Sequence, residues 1–207
     1  MAVCLIISGG DLSNVPAGLE YDFVIACDRG YEYAVKLGIK PDLMIADFDS
    51  LDKGSVDLND IPVEDHPVRK DDTDTMLAIK RAIDKGFDHI VIACALGGRL
   101  DHTIANIQGM AYAASHGVSC EIVSDKEHLR TFTGGTIVLP KKEGSSLSLF
   151  SLSAECTGIT LTGSAYDCED VTITDTFPLG VSNYWAEDSV TLKMTEGILL
   201  IVESSYS

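Results

Sequence analysis

Three groups of aspartates stand out for the chemistry they could do together. They are Asp47-Phe48-Asp49-Ser50, Asp71-Asp72-Thr73-Asp74 and, after two glycines and an arginine, Gly97-Gly98-Arg99-Leu100-Asp101-His102. Carboxylates gathered at one place repel each other unless a cation sits among them. Mg²⁺ is the natural candidate, a hard ion that takes oxygen ligands and usually brings substrate phosphates with it. On extended backbone, Asp47 and Asp49 point to the same side while Phe48 points to the other. The plainer alternative is a polar Asp-x-Asp turn in which the carboxylates only cap the next helix. At residues 71–74, one aspartate would cap a helix and a second would complement its dipole, so three exceed that need. Lys70 beside them could meet a phosphate or offset the local charge.

Gly97 and Gly98 let backbone N–H groups approach an anion closely, and the start of a following helix favours negative charge. Arg99 adds a guanidinium fork suited to phosphate oxygens. Asp101 either binds metal or caps that helix, and His102 either contacts a nucleotide or is structural. Asp28, in Asp28-Arg29-Gly30, supplies a further carboxylate after an apolar run. Neither a Walker A sequence nor GxGxxG occurs. The residues therefore describe a metal-dependent reaction on a phosphorylated small molecule, with a nucleotide site of another type.

Such residues need elements to position them. Continuous apolar runs at 3–7, 23–27, 43–46 and 89–95 read as strands covered on both faces, with a further strand at 119–123. Helical spacing marks 29–37, 73–85 and 101–116, the last with Ile104, Ile107, Met110, Ala111 and Ala114 turned inward. Either Asp72 or Thr73 could cap the second helix. Residues 51–60 read as a loop or ragged helix. Each acidic group then lies just past a strand or at a helix start, where an open parallel sheet binds its ligands. After about residue 130 the helical signals vanish and short alternating runs take over, which predicts an antiparallel sandwich or barrel. The expected architecture is an α/β N-terminal domain at 1–132, with a mostly parallel sheet flanked by helices, and an all-β sandwich at 133–207. Trp185, beside Tyr184, could be core, interface or a stacking platform.

Composition narrows the partners. The chain has 207 residues, 45% of them hydrophobic and 23% charged, and a formal net charge of -17. That charge argues against nucleic acid and against an anionic membrane surface. No targeting segment or membrane span is expected, and the six cysteines form no CxxC pair, so they read as reduced core residues of a cytoplasmic protein.

The order Asp28-x-Gly30, Pro41-Asp42, Asp47-Phe48-Asp49-Ser50, Asp71-x-Thr73-Asp74, Gly97-Gly98-Arg99-x-Asp101-His102 and Asn106 resembles the thiamine pyrophosphokinase (thiamine diphosphokinase) family. Gly158-Ile159-Thr160-Leu161-Thr162-Gly163 and Ser182-Asn183 resemble its second domain. The resemblance implies transfer of a pyrophosphoryl group from ATP to the thiamine hydroxyl by a homodimer, with Mg²⁺ and release of AMP. It assigns Asp28, Asp47, Asp49 and Asp74 to metal binding, the last three also to catalysis. It assigns Asp28, Asp71, Thr73, Gly97, Gly98, Arg99, Asp101, His102 and Asn106 to ATP, and Tyr166, Ser182 and Asn183 to thiamine. Arg29 and Ala46 stand where the family commonly has glycine, which touches loop shape but removes no carboxylate. Two rivals remain: a metal-dependent nucleotide-sugar transferase using Asp47-x-Asp49, and a non-enzymatic acidic module that binds cations.

Overall fold

The computed structural model describes residues 1–46, 61–65 and 72–206, which form two compact units, Met1–Asp125 and Lys126–Ser207. The division falls at 125/126, against an expected 132/133. The strand Glu127–Phe132 pairs along its length with Leu199–Ser205, so it belongs to the second unit. Residues 47–60 and Asp71 lie outside the described residues, and with them Asp47, Asp49 and the expected element at 51–60.

In the first unit, β1 (Val3–Ile7), β2 (Phe23–Cys27), β3 (Leu43–Ala46), β4 (Val63–Asp65), β5 (His89–Ala93) and β6 (Ser119–Val123) run parallel in the order β6-β5-β1-β2-β3-β4. Every residue of β1, β3 and β5 is buried, as both faces of the sheet are covered. Helix α1 (Gly30–Leu37) joins β2 to β3 and packs Tyr33 and Ala34 against Val3, Leu5 and Ile7. Helices α2 (Asp74–Asp84) and α3 (Leu100–Ser115) return the chain in the opposite direction across the sheet, from β4 to β5 and from β5 to β6. Right-handed crossovers therefore put them together on the other face. Gly109 of α3 makes this contact close, since a Cβ there would come within 2.7 Å of Ile79 Cδ1 on α2. The buried stripe of α3 is Asn106, Gly109, Met110, Ala113 and Ala114. Ile104, expected inside, is 51% exposed. The helix is turned so that its small residues meet α2 and Asn106 points inward.

The strand order has one consequence for function. Strands step outward from β1 to β4, and then β5 and β6 continue on the other side of β1. The direction changes between β1 and β5, and the carboxyl ends of the strands at such a switch point form the crevice of an open α/β sheet.

The second unit contains only strands. β7 (Glu127–Phe132), β9 (Ser145–Ser151), β12 (Gly180–Asn183) and β14 (Leu199–Ser205) pair in the order β12-β9-β14-β7. A second antiparallel sheet runs β11-β10-β13-β8, from β8 (Gly135–Pro140), β10 (Glu155–Thr162), β11 (Cys168–Thr174) and β13 (Ser189–Met194). Leu147, Leu149, Leu199 and Ile201 of the first sheet pack with Leu139, Ile159, Leu161, Val190 and Leu192 of the second. Trp185 is part of this core, 4% exposed, and its indole N–H donates to the Leu139 carbonyl at 3.0 Å. All six cysteines are free thiols, and five are buried.

Beyond Ile201 the same face of β14 carries Glu203, only 2% exposed. Its Oε2 accepts from Lys142 Nζ at 2.6 Å and Arg130 Nη2 at 2.9 Å, with His128 Nδ1 at 3.2 Å. Burial pushes this carboxyl up, but the bonds from His128 and Lys142 and the charges of Arg130 and Lys142 outweigh it and hold the pKa at about 2. A depressed folded pKa contributes stability above the unfolded value that is lost as pH falls through the folded one. A drop from 4.5 to about 2 corresponds to roughly 3 kcal/mol. Glu203→Gln is therefore expected to lower Tm at pH 7 by about 6–12 °C. It should also flatten the fall of Tm between pH 4.5 and 2, as followed by circular dichroism. An unchanged acid profile would show that this carboxylate is not the group responsible.

Candidate active site

The ends of the strands in the first unit assemble one polar surface. Asp28 follows β2 directly, with φ of 44°, a left-handed conformation that aspartate tolerates better than most residues. Its N–H donates to Ile45 O of β3 at 2.9 Å and its carbonyl accepts from Tyr31 N at the start of α1. Asp28 thus stands beside the end of β3, the strand that leads into Asp47.

At the start of α2 the described polar residues Asp72, Thr73 and Asp74 differ in their roles. Thr73 is the N-cap, its hydroxyl accepting from Met76 N at 3.2 Å. Asp72 pairs with Lys80 at 2.7 Å. Neither duty falls to Asp74, the first residue of the helix. The Asp74 carbonyl accepts from Cys27 Sγ at 3.6 Å, which brings the helix start to the end of β2 beside Asp28. A buried bond of 2.7 Å between the Thr75 and Ser8 hydroxyls ties the same turn to the end of β1.

The glycine pair after β5 has φ values of 78° and 61° at Gly97 and Gly98. It lies against Gly9-Gly10-Asp11, the loop after β1. Gly10 N donates to Cys94 O at 2.7 Å and Asp11 N to Leu96 O at 2.8 Å. The Asp11 carboxylate fills the space where a Gly97 Cβ would be, at 2.1 Å. Two glycine loops therefore sit side by side at the switch point. Sequence reasoning passed over the first of them, although Gly9-Gly10 follows a buried strand just as Gly97-Gly98 does.

Arg99 and Asp101 form an exposed two-bond fork, Nε to Oδ1 at 3.1 Å and Nη2 to Oδ2 at 2.6 Å. The guanidinium's hydrogen bonds hold the Asp101 carboxyl below its usual range, and Arg99 is correspondingly raised. An exposed pair of this kind exchanges readily for another anion. His102 is exposed, and its N–H donates to Asp101. Asn106 is buried and its amide donates to Ala95 O at 2.7 Å, bracing the loop that carries the glycines from beneath. Of the two departures from the family pattern, Ala46 is fully buried at the end of β3. Arg29 is exposed, its guanidinium 5.3 Å from the centre of the Tyr33 ring, and the Tyr33 hydroxyl donates to Gly10 O.

Among the described residues no three histidine, cysteine, aspartate or glutamate side chains gather closely enough to hold a metal ion. The described part of the expected centre consists of Asp28 and Asp74, and both offer the hard oxygen donors that Mg²⁺ takes.

The second unit holds a cavity of about 330 Å³, within the range of small-molecule sites. Leu149, Leu161, Val171, Ile173, Leu179 and Val181 make its walls largely apolar. Tyr166 and Asn183, two of the three residues assigned to thiamine, line it as well. Asn183 uses its whole amide locally. Oδ1 accepts from Tyr166 N and Tyr184 N, and Nδ2 donates to Ser164 Oγ and Tyr166 O. The exposed rings of Tyr166 and Tyr184 meet edge to face, 6.3 Å between centres. Ser182 lies beside the cavity residues with φ of 61°, its N–H donating to Ser148 Oγ.

Comparison with known proteins agrees with this division. The family model for the thiamin pyrophosphokinase catalytic domain matches residues 19–122, and that for the thiamin pyrophosphokinase vitamin B1 binding domain matches residues 135–199. The thiamine pyrophosphokinase of Bacillus subtilis is 27% identical over 208 residues, covering 97% of each chain. The crystal structure of a Bacillus subtilis thiamine pyrophosphokinase superposes with a TM-score of 0.86 at 27% identity, over 99% of this chain and 100% of that one. The thiamin pyrophosphokinase of Geobacillus thermodenitrificans gives 0.83 at 28% identity, over 99% and 98%. The nucleotide-sugar and cation-sequestering alternatives find no support in these matches. With both domains matched in order, the chain belongs to the thiamin pyrophosphokinase family.

Proposed function

We propose that the strand-end carboxylates of the first unit and the apolar cavity of the second serve one reaction. The chain is a thiamine diphosphokinase, transferring a pyrophosphoryl group from ATP to the hydroxyl of thiamine. The thiamine oxygen bonds to the β-phosphorus, the bond from that phosphorus to the α-phosphate oxygen breaks, AMP leaves, and the hydroxyl proton is released. The observation that carries this reading is the convergence of Asp28, Asp74 and the two glycine loops at the switch point of the sheet.

Asp28 and Asp74, with Asp47 and Asp49 from outside the described residues, would hold Mg²⁺. Bound there, the ion's contribution is to neutralise charge on the phosphate oxygens. The backbone N–H groups of Gly97 and Gly98, the Arg99 guanidinium and His102 face the polyphosphate, Thr73, Asp101 and Asn106 shape the surrounding loops, and Asp71, outside the described residues, is also assigned to ATP. Positioning and electrostatics supply most of the rate, as in other phosphoryl transfers. A carboxylate of the cluster takes the hydroxyl proton.

Thiamine lies in the cavity beside Tyr166, Ser182 and Asn183. Around it Phe177, Leu179, Val181, Tyr166 and Tyr184 are all about half exposed or more, an apolar surface suited to a second copy of the chain in a homodimer. Among the described residues no helix is long and apolar enough to cross a membrane.

The test is direct. The purified protein, with ATP, Mg²⁺ and thiamine, should yield thiamine diphosphate and AMP in equal amounts by mass spectrometry. ADP with thiamine monophosphate, or no product, would overturn the reading.

A further inference from the structure

The geometry points to Asp167 as the residue that selects a positively charged acceptor. Among the described residues Asp167 is the one formally charged side chain lining the cavity, whose walls are otherwise apolar or neutral. Asp167 is exposed at the rim of this apolar wall, so water screens its charge, yet it still favours a cationic ring over a neutral one of the same shape by a modest factor.

Its position is set by the fold. The chain turns after β10, and Asp167 Oδ1 accepts from Ser164 N at 2.8 Å and Ser164 Oγ at 2.9 Å. Ser164 is itself buried and accepts from Asn183 Nδ2 at 3.1 Å. The bonds from the Ser164 backbone and hydroxyl also hold the Asp167 carboxyl below its usual range, so it is ionised throughout the neutral pH range. The adjacent residue, Tyr166, offers an aromatic ring at the same wall, and such a face also favours a cation. Carboxylate and ring together fit a heteroaromatic ring with a quaternary nitrogen, as in the thiazolium of thiamine. Asp167 is thus a specificity-determining residue for the acceptor.

This inference rests on the proposed function, and one experiment separates the two. Steady-state kinetics are compared for thiamine and for an uncharged isostere in which the thiazolium nitrogen is replaced by carbon. The wild-type protein should prefer thiamine by about five-fold in kcat/KM. Asp167→Asn keeps an oxygen for both Ser164 bonds and removes the charge. It should raise the KM for thiamine by a similar factor, leave the isostere and the KM for ATP unchanged, and so abolish the preference. Asp167→Glu should retain part of it.

An unaltered preference in Asp167→Asn, or an equal fall for both acceptors, would overturn the assignment. So would a wild-type protein that uses the two acceptors equally well, whether or not the variants fold. A wild-type protein that turns over neither acceptor would overturn the proposed reaction itself.

Discussion

Replacing Asp28 or Asp74 with asparagine is expected to lower kcat for thiamine diphosphate formation by about 10² to 10⁴-fold. The fold should survive in both cases. Asparagine tolerates the left-handed backbone that Asp28 adopts at φ of 44°. The bonds fixing that turn, from Asp28 N to Ile45 O and from Tyr31 N to Asp28 O, are backbone bonds that the side chain does not make. The cap of α2 is Thr73, so Asp74→Asn leaves the Met76 N–H satisfied. The loss would therefore report on oxygen charge at the strand ends. Asp72→Asn is the matched control, because it removes a negative charge two residues from Asp74 but breaks only the Lys80 pair. It should keep activity within about three-fold. The measurement is AMP release at saturating ATP and thiamine, with Tm recorded for each variant. If Asp28→Asn and Asp74→Asn stay within a few-fold of wild type while folded, the proposed centre is wrong.

Gly30→Ala should be the most damaging single methyl group in the first unit. Gly30 opens α1 directly after Asp28 and Arg29. A Cβ there would lie 2.0 Å from Ile7 O, 2.8 Å from Ile7 C and 2.9 Å from Ser8 O. These are backbone atoms at the end of the central strand, and they cannot rotate away as a side chain could. Forced overpacking of this kind costs about 3 kcal/mol or more. A domain of this size would lose roughly 6–12 °C in Tm, or fail to accumulate as soluble protein. Gly38→Ala isolates the steric cause. Gly38 has φ of 69°, yet nothing lies within 4 Å of the added Cβ, so the cost there is backbone strain alone, about 1 kcal/mol. If thermal melts show equal losses for the two variants, the close approach to Ile7 is not what makes Gly30 necessary.

Much of the first unit could be read from residue order. β1, β2, β3, β5 and β6 are apolar runs because a parallel sheet covered on both faces leaves their side chains nowhere polar to go. β4, three residues long, and β12, four, are too short for any period to declare itself. β7 escaped for a different reason. Its inward positions include His128 and Arg130, which look like surface residues until Glu203, far along the chain, is placed opposite them. Long-range neutralisation of that kind leaves no local pattern.

The site divides the same way. The place of Asp28 just past β2 was legible, since position past a strand is a local property. Thr73 was one of two candidate caps, and only the fold decides between it and Asp72; the duty of Asn106 as a brace was not legible, because it depends on which hydrogen-bond partner the fold brings near. Asp11 was missed because its carboxylate meets Gly97 only when two distant loops adjoin. Asp167 was missed because a lone carboxylate between Tyr166 and Cys168 carries no spacing signal.

The amide of Asn183 ties Tyr166, Ser164 and Tyr184 into one small knot. Because those bonds are internal to the protein, the backbone that carries Tyr166 to the cavity wall is set without any ligand. Under the proposed function, capture of thiamine there requires little ordering of that backbone, so less of the association energy is lost to immobilising it. Encounter should proceed at a rate governed by diffusion and orientation rather than by slow rearrangement of the receptor.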